Sequence, residues 1–124
     1  MQNLSEQTLT AIGRMSVAAA DLEYLLAWTG ADQAAGDPAA VFAVPGGSLA
    51  AARASVQFAA VAEREQLIAA VEAAATQLAL SQVALRRLWH DDSPADPDVF
   101  DRITAQLVTF RAWLHGLVAE QINR

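Results

Sequence analysis

Cysteine and lysine are both missing from this chain. Without cysteine there is no disulfide framework, no thiol nucleophile and no thiolate-bound zinc. Without lysine there is neither a phosphate-loop lysine nor a Schiff base. Cations are scarce altogether: eight arginines stand against fourteen Asp and Glu, for a formal charge of −6. Nucleic acids and anionic membranes are bound by clustered cations that displace counterions, so this balance argues against DNA and against a membrane surface as partner. Aromatic residues make up only 6% of the chain. No β-branched run of period two and no Asn-Gly or Asp-Gly hairpin signal is present, so nothing in the sequence competes with helix.

Alanine is abundant, and apolar residues account for 54% of 124 positions. That length suits a single domain, 1–124, with one core. Met1-Gln2-Asn3-Leu4-Ser5-Glu6 lacks the basic and continuous apolar regions of a secretory peptide, which points to a cytoplasmic protein. The most apolar stretches are broken by Arg, Glu, Gln or Pro before the roughly 18 residues a bilayer span needs. A soluble protein is expected.

Asn3 or Ser5 can cap a first helix in which Leu9, Ile12, Met15, Ala19, Leu22 and Leu26 recur at spacings of three and four. Gly30 is the natural residue just past its end. Val17, Asp21, Tyr24 and Trp28 form a flanking stripe, placing Tyr24 and Trp28 at the edge of the core or against another chain. The Gly- and Pro-bearing segment 30–47 reads as the main loop, within which Asp37-Pro38 can start a short helical turn. From Ser48, a good N-cap, to His90 there is no Pro or Gly. One helix of that length would run about 65 Å, too long for a domain of this size. A break is therefore expected, and it is placed near Gln57 to Glu63, where the apolar stripe loses its phase, giving helices over 49–59 and 62–90. Ile68, Val71, Ala75, Leu78, Leu85 and Trp89 share a face of the second, with Gln82 at its edge. Asp96 caps the last helix and Pro97 takes its first position. Along that helix Phe100, Ile103, Leu107, Phe110, Leu114 and Leu117 make a seam that continues to Gln121. Trp113 falls on the opposite, polar face, a position that points to a contact surface. The fold expected is all-α, an up-and-down bundle of four main helices with a short fifth turn.

Chemistry is sparse. The acidic run from Asp91 to Asp101 lacks the central Gly and terminal Glu of a calcium loop, and capping accounts for it. Neither His90 nor His115 has Glu three residues before it, which excludes a helical di-metal site. No metal and no cofactor is expected. Two pairs remain, Arg86 with His90 and Arg111 with His115, each four residues apart and so on one helical face. Such a pair can steady a phosphate and move a proton.

Ile12-Gly13-Arg14, Ala18-Ala19-Ala20-Asp21-Leu22-Glu23 and the closing Leu85-Arg86-Arg87-Leu88-Trp89-His90, followed by a final amphipathic helix, resemble the HEPN superfamily of small helical bundles. The resemblance covers most of the chain, through pattern more than identity. It implies a dimer and, for active members, a metal-independent ribonuclease of toxin-antitoxin or phage-defence systems. In that family Arg, usually followed by a polar residue, precedes His by four to six intervening residues. Here only three separate Arg86 from His90, and position 85 is Leu. The resemblance thus implies a non-catalytic member. Trp28-Thr29-Gly30 is in turn similar to the small secreted WxG helical hairpins of Gram-positive bacteria.

The reading is a non-enzymatic interaction or accessory protein, a homodimer or the partner of another protein, with Trp113, Trp28 and Tyr24 on its contact surfaces. The enzymatic alternative is a ribonuclease in which Arg86 or Arg87 holds the scissile phosphate and His90 is general acid and base; RNA is a partner only in that case. A small-ligand-binding bundle is a third reading, since an Ala-rich core leaves room for a cavity.

Overall fold

A computed structural model describes residues 4–34, 36–90 and 95–122, with backbone alone for 32–34, 121 and 122. Five α-helices follow one another: α1 (Glu6–Ala34), α2 (Pro38–Ala43), α3 (Gly47–Ser55), α4 (Val61–His90) and α5 (Pro97–Ile122). A single 3-10 turn, Val56–Phe58, links α3 to α4, and no strand occurs among the described residues. This is the expected all-α bundle, with α2 as its short extra helix. The direction of the long helices follows from side-chain contacts. Thr8 Oγ1 donates to the Ala95 carbonyl at 3.3 Å, Arg14 lies 3.7 Å from Asp101, and Asp21 pairs with Arg111. The partners advance in the same direction along both segments, from Thr8 with Ala95 through Arg14 with Asp101 to Asp21 with Arg111, so α1 and α5 run parallel, side by side. The long helix α4 packs on both.

Ser5 is the N-cap of α1: its Oγ accepts from the Thr8 amide at 3.1 Å. Asn3 lies outside the described residues. The buried stripe of α1 contains Ala11, Met15, Leu22, Leu25 and Leu26. Leu9, expected there, is 54% exposed, and Thr8 is buried in its place. A threonine is tolerated inside because its hydroxyl is bonded on both sides, donating to Ala95 and accepting from Ser5. Gly30 is likewise corrected. It does not end the helix; α1 continues to Ala34 and Gly30 is buried within it. A Cβ at Gly30 would collide with that of Ala51 and lie 2.6 Å from the Ala51 carbonyl carbon. The glycine is there for close approach of α3, not for a turn.

The break in the 48–90 segment falls where expected. Ala59 adopts an extended conformation after the 3-10 turn, and one Arg64 Nη donates to the carbonyls of Gln57 and Ala59, both at 3.2 Å. Those are carbonyls that a terminating helix leaves unpaired. Ser48 does not cap α3. Gly46, at φ 74°, holds that position, and Ser48 is buried one residue inside the helix. In α4 the buried face runs through Leu67, Ala70, Val71, Ala74, Leu78 and Ser81. Ile68 and Trp89 are therefore exposed, contrary to expectation, with Trp89 at 62%. The shift arises because alanines on α4 are small enough to be either lining or surface. The expectation that no stretch is apolar enough for a bilayer also needs correcting: by length and composition α4 passes, with a mean hydropathy of 1.4 over 18 residues, a third of them buried in the bundle.

Asp37 and Asp96 cap α2 and α5 as expected, accepting from the Ala39 and Asp98 amides at 3.1 and 2.9 Å. Phe100, Leu107, Leu114 and Leu117 are buried, and Ile103 and Phe110 are half-buried; the side chain of Gln121 is outside the description. The substitution Gly30→Ala should force α1 and α3 apart and cost about 1–3 kcal/mol, as overpacking does. Urea unfolding would show it as a lower midpoint with unchanged slope; an unchanged midpoint would mean the two helices are not held at this distance.

Candidate functional site

Arg86, Arg87 and His90 occupy the last turns of α4, and all three are exposed. Spacing puts Arg86 and His90 about 6 Å apart at Cβ. Among the described residues no hydrogen bond or ion pair orients any of them, and no neighbouring element encloses them. The acidic segment 91–94 beside them lies outside the description. In the other pair, Arg111 is committed elsewhere. Half-buried on α5, it faces Asp21 of α1 in a charge contact without an aligned hydrogen bond, while His115 is exposed. Neither pair forms a cleft in which a phosphate could be held while a proton moves.

No cluster of three or more His, Asp or Glu able to hold a metal occurs among the described residues. A groove of about 450 Å³ lies between the start of α1 and α5, lined by Glu6, Gln7, Thr10, Arg14 and Asp101. It is polar and open, whereas sites for small molecules are concave and mostly apolar.

The aromatic residues are placed differently. Trp113 is 39% exposed on α5 and packs beside Phe110, ring centroids 6.1 Å apart. Tyr24, also 39% exposed, meets Phe42 of α2 edge-on at 5.4 Å. Trp28 is 52% exposed one turn further along α1. The structure thus brings Tyr24 and Trp28 together on one helix and leaves Trp113 on another. Leu9 and Val17 extend the α1 surface toward its N-terminus, Val17 being 71% exposed.

No family model matches this chain. Neither does any curated protein or any solved structure at a significant level. Function is therefore argued from the surfaces themselves.

Two carboxyl groups are electrostatically distinct. Glu72 accepts two hydrogen bonds from Arg53 at 2.8 Å, which hold its carboxyl below the usual value and raise the guanidinium in return. Both groups lie at the surface, so the bridge orients α3 on α4 more than it stabilises. Glu23, on α1, is pushed above its ordinary 4.5 by burial. Its folded form holds the proton more tightly than the unfolded chain does, so stability falls as pH rises from 4.5 through the folded value. The Glu72 contribution has the opposite sign and is lost as pH falls through its lowered value.

Two outcomes follow. Glu23→Gln should raise the melting temperature at pH 7 more than at pH 4, and a pH-independent change would remove the burial argument. Arg86→Ala and His90→Ala should each shift stability by no more than about 0.5 kcal/mol, as unbonded surface residues do; a larger loss in chemical denaturation would reveal a structural partner.

Proposed function

We propose that the chain is a non-enzymatic helical interaction protein that acts as a homodimer, with Tyr24 and Trp28 on one contact surface and Trp113 on a second. One observation carries this reading: Leu9, Val17 and Trp28 stand exposed along α1, with Tyr24 packed on Phe42 beside them. Aromatic side chains of this kind supply most of the energy where protein surfaces meet. The similarity to HEPN bundles supports the same reading, as a non-catalytic member in a toxin-antitoxin or phage-defence setting. The ribonuclease alternative finds less support, because Arg86, Arg87 and His90 stand on an open helix surface.

Light scattering on the purified protein should return twice the 13.1 kDa chain mass. Trp28→Glu or Trp113→Glu should bring the mass back to that of one chain while circular dichroism keeps its helical signal. A wild-type protein that stays monomeric at every concentration would overturn the proposal.

A further inference from the structure

We draw no further inference here: the strongest candidate, the outward surface patch of α4 on which Ile68, Leu80 and Val83 stand exposed, is an unpartnered apolar face, and nothing in the structure shows what covers it.

Discussion

The close approach of Gly30 to Ala51 is the contact around which the rest is arranged. At that point α1 and α3 touch backbone to backbone, with no room for a side chain between them. It lets a short helix, only nine residues long, lie directly on α1 and bury Ala27 and Ala31 near its end. Alanine elsewhere plays the same part less severely. Ala52, Ala70 and Ala74 are fully buried, which keeps helix axes near while a few bulky residues, Met15, Leu22, Leu26, Leu107 and Leu114, fill the centre.

A core built this way is thin, and its specificity has to come from somewhere other than volume. Polar contacts between α1 and α5 supply part of it. Thr8 with Ala95, Arg14 with Asp101 and Asp21 with Arg111 recur along the two helices like rungs. The exposed pairs are worth little individually, but they cost energy in any slipped register, since each charge would then face the wrong neighbour. The same rungs spend Arg111, one of the few cations, on architecture, and so separate it from His115 as a chemical unit.

The elements were legible in the sequence because their ends are marked chemically. Ser5, Asp37 and Asp96 are caps that accept amide protons, and Pro38 and Pro97 suit first helical positions. That the 48–90 segment breaks was legible through its length, and the place through the loss of phase in its apolar stripe near Gln57 to Glu63. What failed were inferences about faces. Leu9 and Ile68 are apolar and exposed, while Thr8 is polar and buried; the phase of a stripe is set by the partner helix, and a satisfied hydroxyl outranks an unneeded methyl group. Gly30 failed for a related reason. A glycine just past the last residue of an apolar stripe reads as a helix end by its backbone freedom, whereas here it is used for its lack of volume. Of the candidate site residues, the sequence located Arg86, Arg87 and His90 correctly at a helix end, yet spacing along one helix says nothing about whether another element closes over them.

The exposed seam on α1 follows from the same logic. In a helix so rich in alanine, apolar residues surround much of the circumference, so composition does not choose an inside. The rest of the bundle makes that choice by covering the face that presents Met15, Leu22 and Leu26. Leu9, Val17, Tyr24 and Trp28 are left outside although they are as apolar as many residues within. Solubility alone would favour polar residues at those positions, and the flanking Arg14 and Asp21 show that the helix accepts charge one step away. The outer face of α1 thus stays apolar because the bundle covers only the opposite stripe, with Tyr24 alone among these four packed on a ring of its own chain, Phe42.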